Sequence, residues 1–271
     1  MAEAVEVKGF TIPLVGLGTW TLRGRDCVRL VAEAIRIGYR HIDSAQMYGN
    51  EFEVGEGVRA SGRRAEVMVT TKIQPTMLAP PDVDRSVKES LQQLGLDAID
   101  LLLIHWPNPR VPLADTLGAM MKLKQEGVTR AIGVSNFTVQ LLDDASEIAP
   151  DLVCNQVECH PFLNQDKVLA ACKKHGMAMV AYSPVARGSA PGNKLLERIG
   201  KAHGKSAAQV SLRYLTQQGI VVIPRTSKFE RLKENFAIFD FTLSDAEMAE
   251  IHKLSGRGDR IVDWSWSPQW D

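Results

Sequence analysis

The chain has 271 residues, with 32 basic and 32 acidic side chains and 45% hydrophobic residues. A formal net charge of zero argues against nucleic acid or an anionic membrane as partner, since either usually requires a basic footprint. No apolar run approaches the ~20 residues needed to span a bilayer, and the N-terminal MAEAVEVKGF lacks the basic and apolar regions of a signal peptide.

Short β-rich runs alternate with longer helical patterns from end to end. A hairpin is expected first, VEV followed by FTIP. Strand signals then recur at 15–18, 40–43, 67–72, 99–104, 129–134, 152–157, 177–181 and 220–223, eight in all. Between them lie amphipathic stretches such as 27–38, where Val28, Val31, Ala32 and Ile35 repeat at helical spacing. Gly38, Gly62, Gly95, Gly127, Gly176 and Gly219 each fall near the end of a helical pattern, a preferred place for a left-handed cap. Additional helical patterns cover 194–203 followed by 207–217, and 245–254.

Strict alternation implies parallel strands with right-handed crossovers. Eight strands in one series fit a closed (β/α)8 TIM barrel, of α/β class, with an N-terminal β-hairpin and two additional helical regions. No Pro/Gly/Ser-rich linker or charge block divides the chain, so residues 1–271 read as a single domain. The four cysteines, Cys27, Cys154, Cys159 and Cys172, form no C-x-x-C pair and read as buried free thiols in a reducing cytoplasm. The Asn136-Phe137-Thr138 sequon is then a chance match.

Four polar residues close three consecutive strand signals: Asp43 and Tyr48 in HIDSAQMYGN, Lys72 in VTTKI and His105 in LIHWP. A barrel places its chemistry on the face where these strand ends emerge. Tyr48 can donate a proton, although a free phenol with a pKa of about 10 is a sluggish acid at neutral pH. A nearby ammonium, Lys72, is expected to lower that pKa, and Asp43 can hold Lys72 by a charge-assisted hydrogen bond. A neutral His105 can donate to a carbonyl oxygen and orient it. Taken singly, each residue also reads as a packed or solvated strand end. Lys72 alone would equally suit a Schiff-base aldolase.

GLGTW (16–20), HIDSAQMYGNE (41–51), TTKI (70–73), LIHWP (103–107), GVSNF (133–137), NQVECHP (155–161) and IPRTSKFERLKEN (223–235) occur in order, and in these motifs the chain resembles the aldo-keto reductase superfamily. It is most similar to the bacterial 2,5-diketo-gluconate reductases, which also act on methylglyoxal. The resemblance implies NADPH-dependent reduction of aldehyde and ketone groups of small sugar-derived or α-dicarbonyl substrates. It implies that Tyr48 is the general acid, tuned by Lys72 and Asp43, with His105 orienting the carbonyl and no metal involved. An NADPH-binding regulatory barrel without turnover is the alternative that the family also offers.

Further roles follow from the same resemblance. Ser135, Asn136 and Gln156 are expected to hold the nicotinamide carboxamide, and Tyr182 to stack on its ring. Ser183, Pro184, Val185 and Arg187 are expected along the pyrophosphate, with Gly18, Thr19, Trp20 and Asp43 also beside the cofactor. Ser183 stands where close relatives often carry glycine. Arg225, Thr226, Ser227, Lys228 and Arg231 place three cations and two hydroxyls within seven residues, a set suited to a 2′-phosphate. Glu234 and Asn235 match adenine-contacting positions. Trp20, Gln46, Met47, Tyr48, His105, Trp106, Asn108 and Trp264 are expected to bind the carbonyl substrate, with the Trp-rich tail, RIVDWSWSPQWD, across the barrel mouth. The chain is expected to act as a monomer.

One motif is set aside. Gly55-Glu-Gly57-Val-Arg-Ala60 fits the dinucleotide fingerprint G-x-G-x-x-A, but it follows an acidic helix start rather than a strand, so its required context fails.

Overall fold

The chain opens as an antiparallel hairpin of β1 (Ala4–Val7) and β2 (Phe10–Pro13). Its two-residue turn places Lys8 at φ 50° and Gly9 at φ 77°, the left-handed pair whose twist matches the flanking strands. A computed structural model describes residues 3–258 and 260–271. After the hairpin come β3 (Leu17–Gly18), α1 (Gly24–Ile37), β4 (His41–Asp43), α2 (Glu51–Ala60), β5 (Met68–Ile73) and α3 (Pro80–Leu94). The series continues with β6 (Ile99–Ile104), α4 (Leu113–Gln125), β7 (Thr129–Ser135), α5 (Val139–Ile148), β8 (Cys154–Glu158) and α6 (Asp166–Lys174). It ends with β9 (Ala178–Tyr182), α7 (Lys194–His203), α8 (Ala207–Thr216), β10 (Val221–Val222), α9 (Phe229–Phe236) and α10 (Asp245–His252).

Strands β3 to β10 form one parallel eight-stranded sheet in sequence order. Parallel bridges Val15↔Val222 and Gly18↔Arg225 bring its two edges together and close the barrel. The bonds at this seam run from Gly16 N to Val222 O and from Val222 N to Leu14 O, both 2.8 Å. The strands at the seam are shorter than their sequence signals because Pro224 has no N–H to continue the ladder. The six glycines expected at helix ends all take positive φ. Ser206 with Gln209 and Ser244 with Glu247 form capping boxes that start α8 and α10.

Alternation along the strands separates two cores. Ile42, Val69, Ile73, Leu102 and Ile104 face outward into the layer shared with the helices. Leu101, Leu103, Ala131, Val153 and Val180 face inward, and Val7 and Ile12 of the hairpin join that inner cluster beside Met68 and Ala178 at the strand starts. The hairpin therefore plugs the N-terminal end, leaving the opposite mouth for the site. Within the barrel His41 Nε2 lies 3.0 Å from Thr70 Oγ1, two residues below Asp43 and Lys72 on the same strands. Burial pushes His41 down to about 4, so it is neutral at pH 7.

The rejected fingerprint lies wholly within α2, and its glycines serve close packing. A Cβ on Gly55 would stand 2.1 Å from the Leu94 carbonyl oxygen, and one on Gly57 would stand 2.6 Å from Val31 Cβ. Gly118 in α4, by contrast, has no neighbour within 4 Å of such an atom. The two sites should thus respond oppositely to alanine. Gly118→Ala should stabilise by up to ~1 kcal/mol through helix propensity, whereas Gly55→Ala should destabilise by ~1–3 kcal/mol or more through overpacking. Denaturant unfolding of both variants checks this, and a neutral Gly55→Ala would contradict the packing described.

Candidate active site

Asp43 ends β4, Lys72 is the penultimate residue of β5 and His105 directly follows β6. Tyr48 is carried by a short 3-10 turn over Gln46–Tyr48, closed by Gly49 at φ 58°. Three adjacent strand ends thereby point four side chains at one spot. Lys72 Nζ donates to Asp43 Oδ1 at 2.6 Å and to the Ser44 carbonyl at 2.7 Å, and lies 3.4 Å from the Tyr48 hydroxyl. Asp43 Oδ2 accepts from Gln156 Nε2 at 2.7 Å. The Tyr48 and His105 rings meet edge to face, centroids 5.5 Å apart.

Lys72 is 0% and Asp43 1% exposed, so this ion pair is sealed from solvent. Desolvation pulls the Lys72 pKa down while Asp43 opposes that shift. For Tyr48, burial and then the Asp43 carboxylate push the phenol well above 10. That net direction is opposite to the one expected from the ammonium alone. The reason is geometric: the two shorter bonds of Lys72 go to Asp43 and Ser44, and desolvation of a phenolate dominates. The phenol is consequently held protonated. His105 is driven well below 6.5 by burial and then by the Lys72 charge, and its Nδ1 is buried without a hydrogen-bond partner.

From this spot a cleft of about 1140 Å³ extends across the barrel mouth. Of the residues singled out from sequence, Gly18, Trp20, Asp43, Met47, Tyr48, His105, Trp106, Asn136, Gln156 and Tyr182 line it. So do Ser183, Pro184, Val185, Arg187, Arg225, Arg231, Glu234, Asn235 and Trp264. Tyr182 donates to Asn136 Oδ1 at 2.8 Å, fixing the amide whose Nδ2 donates to the His105 carbonyl at 3.0 Å. Ser183, Ala186 and Arg187 all adopt positive φ, between 49° and 51°, so Ser183 takes the left-handed turn that glycine would accept more cheaply.

Other expected contacts lie off the cleft. Thr19 is buried and donates to the Asp43 carbonyl at 2.9 Å, and Ser135 Oγ accepts from Asn136 Nδ2 at 3.1 Å. Thr226 Oγ1 accepts from Lys228 N at 3.0 Å, which turns Thr226, Ser227 and Lys228 into the entry to α9, with only Arg225 and Arg231 of the five facing the cleft. Gln46 donates to Ser90 Oγ at 3.1 Å and accepts from Gln74 N at 3.0 Å, bracing the turn that bears Tyr48 rather than walling a pocket. Asn108 donates to the Pro75 carbonyl at 2.8 Å and accepts from Arg110 N at 3.0 Å. Both polar side chains are consumed by these bonds, most of whose partners are remote in sequence.

The cleft also takes residues that sequence reasoning passed over, among them Glu197 and Lys201 of α7, Lys205 just beyond it, and Ala207 and Ala208 of α8, while Trp266 lines it as expected of the Trp-rich tail. The four-residue spacing of Glu197 and Lys201 marks one face of α7, but nothing local says that the face borders a cleft.

The chain belongs to the aldo/keto reductase family, whose model matches residues 14–255. It is 43% identical to a solved putative 2,5-diketo-D-gluconic acid reductase B, covering 100% of this chain and 98% of that one with a TM-score of 0.97. The solved aldose reductase from Schistosoma japonicum is 32% identical with a TM-score of 0.93, covering 98% of both chains. Methylglyoxal reductase DkgB from Yersinia pestis is 38% identical over 267 residues, 96% of this chain and 100% of that protein. The protein is an NADPH-dependent, carbonyl-reducing oxidoreductase. The donor set fits such a cofactor: buried polar groups and the guanidinium groups of Arg187, Arg225 and Arg231 line one cleft, whose volume is above that of most small-molecule pockets.

The perturbed groups give a pH expectation. A histidine whose folded pKa is depressed stays neutral as pH falls below the unperturbed value of about 6.5, and a phenol whose pKa is raised stays protonated as pH climbs past neutrality. His105 should therefore show no imidazole titration by NMR between about pH 6 and 8, where an ordinary histidine is half-converted. A His105 midpoint near 6.5 would overturn this description.

Proposed function

We propose that Tyr48 is the proton donor to the substrate carbonyl oxygen, with Lys72 and Asp43 holding it in place and His105 orienting that oxygen. The observation that carries this reading is the convergence of a protonated phenol and a neutral imidazole on one cleft end, above a sealed ion pair. Bound NADPH supplies the hydride. The Tyr48 hydroxyl gives its proton to the oxygen as charge builds there, and Lys72, 3.4 Å away, stabilises the phenolate left behind. The buried His105 Nδ1 has no partner, so the ring proton serves best on Nε2, as a donor to the same oxygen.

Arg225 and Arg231 are the groups suited to the 2′-phosphate, and Asn136, Gln156 and Tyr182 those suited to the nicotinamide. The substrate wall is made by Trp20, Met47, Trp106, Val262, Trp264 and Trp266. An apolar, aromatic wall favours small uncharged dicarbonyls of the methylglyoxal kind over a sugar acid of the diketo-gluconate kind. The Schiff-base reading of Lys72 loses support, because its Nζ is fully buried in an ion pair and unavailable as a free amine. The reading takes the chain as a single monomeric domain in the cytoplasm. Four free, buried cysteines support that compartment, and no helix among the described residues is long and apolar enough to cross a membrane.

Tyr48→Phe keeps the ring and removes the proton. Reduction of methylglyoxal should fall by at least ~10²–10⁴-fold, with NADPH still bound, in a stopped or steady-state absorbance assay. Near-normal turnover in this variant would end the assignment, and no turnover of any carbonyl by the unaltered protein would favour a regulatory barrel instead.

Arg231→Ala should weaken NADPH by ~10–150-fold, the equivalent of a charge-assisted contact worth ~1.5–3 kcal/mol, while NADH affinity barely changes. Fluorescence titration with both cofactors reads the difference. Equal losses would place Arg231 away from the 2′-phosphate.

A further inference from the structure

Glu158 closes β8 two residues beyond Gln156 and is fully buried. Its carboxylate has no part in the chemistry above, yet every donor it meets is accounted for. Oε1 accepts from Ile261 N at 2.7 Å and lies 2.9 Å from His160 Nε2, while Oε2 accepts from Val262 N at 2.7 Å. Two backbone N–H groups of the C-terminal tail are thus gripped by one buried carboxylate at the rim of the barrel.

The tail beyond that grip folds back on itself. The Arg260 guanidinium lies over the Trp270 ring at 3.8 Å, and Trp270 Nε1 donates to Asp263 Oδ1 at 3.0 Å. The Asp271 side chain accepts from Val139 N at 3.0 Å, at the start of α5. Between these ends Trp266 packs on Trp106 at 5.0 Å and stacks on Trp264 at 6.3 Å. Val262, Trp264 and Trp266 face the cleft, although both tryptophans are about half exposed and so are held weakly by their own packing.

We infer that Glu158 is a positioning residue that sets carbonyl specificity by clamping the tail backbone at Ile261 and Val262, which places Val262, Trp264 and Trp266 against the substrate. The inference rests on the proposed substrate wall. Val262 is both clamped and lining, and the two tryptophans follow within four residues, so release of the clamp displaces the wall without touching Tyr48, His105 or the arginines. Because the carboxylate meets the tail through backbone N–H groups and not tail side chains, it fixes the path of the tail while leaving the wall's composition free.

The test uses the full chain. Glu158→Gln is nearly isosteric but turns one acceptor into a donor facing an N–H, so one of the two clamp bonds is lost. With NADPH saturating, KM for 4-nitrobenzaldehyde should rise about tenfold or more, the scale of one lost charge-assisted hydrogen bond. KM for methylglyoxal should change much less, and kcat and NADPH affinity should stay near their original values. Trp264→Ala removes a half-exposed ring and should alter the same substrate ratio. The double variant should be little worse than either single one, because both act through the same wall. Additive effects, an equal rise in both KM values, or a fall in kcat alone would overturn the clamp. Should Glu158→Gln not fold, Glu158→Asp, which keeps the charge and loses reach, replaces it in the cycle. Failure of both to fold would assign Glu158 to the barrel's stability and end the inference. An unaltered protein inactive on every carbonyl would instead defeat the proposed function.

Discussion

The mouth of this barrel is organised around one buried ion pair. Removing two charges from water costs several kcal/mol for each, and the attraction between them repays that only with further hydrogen bonds in good geometry. Here the Ser44 carbonyl supplies one to Lys72 and Gln156 supplies one to Asp43, so β4, β5 and β8 are tied at their ends. The layer beneath is kept neutral, since His41 is uncharged and bonded to Thr70. The ion pair therefore rests on a neutral layer, directly under the cleft. Loss of either partner would leave its mate buried and unpaired, a change worth ~3–5 kcal/mol, so the pair underwrites the fold as well as the site.

The same site keeps the Tyr48 phenol protonated at rest, as the proposed proton donor requires. Burial and Asp43 together favour the protonated phenol. Lys72, poised at 3.4 Å with its shorter bonds elsewhere, offers a favourable field for a phenolate without forcing one to form at rest. In the proposed mechanism that field becomes useful once the proton has left. The acid is stored and its conjugate base is anticipated, which is a different division of labour from a simple lowering of the resting pKa.

Much of this was legible from residue order. The strand signals fall within one or two residues of the strands, with the seam cut short where Pro224 lacks a donor. The four polar strand-end residues converge as their spacing requires. The fingerprint around Gly55 failed on context and is a helix. Polar side chains in loops were less legible, because their partners are remote in sequence. Gln46 meets Ser90 and Gln74, Asn108 meets Pro75, and Thr19 turns to the Asp43 carbonyl. Motif matching marks such positions as near a site without saying which way the side chain points. The α7 face carrying Glu197 and Lys201 was invisible for the complementary reason: an amphipathic helix announces a polar face, not what that face borders.

In the proposed mechanism chemistry and specificity are held by different means. Asp43, Lys72 and His105 stand on or immediately after strands of a closed sheet, where register leaves little freedom. Half of the proposed substrate wall, Val262, Trp264 and Trp266, is instead borrowed from a terminal segment whose described residues form no helix or strand, and it is fastened at both ends. Glu158 holds one end and the Asp271 carboxylate meets the α5 N-terminus at the other, a favourable place for negative charge. Both fastenings go to backbone N–H groups. Such an arrangement lets Trp264 and Trp266 vary without disturbing the barrel, whereas exchange of a strand-end residue such as Lys72 would unbalance the buried charge beneath the site.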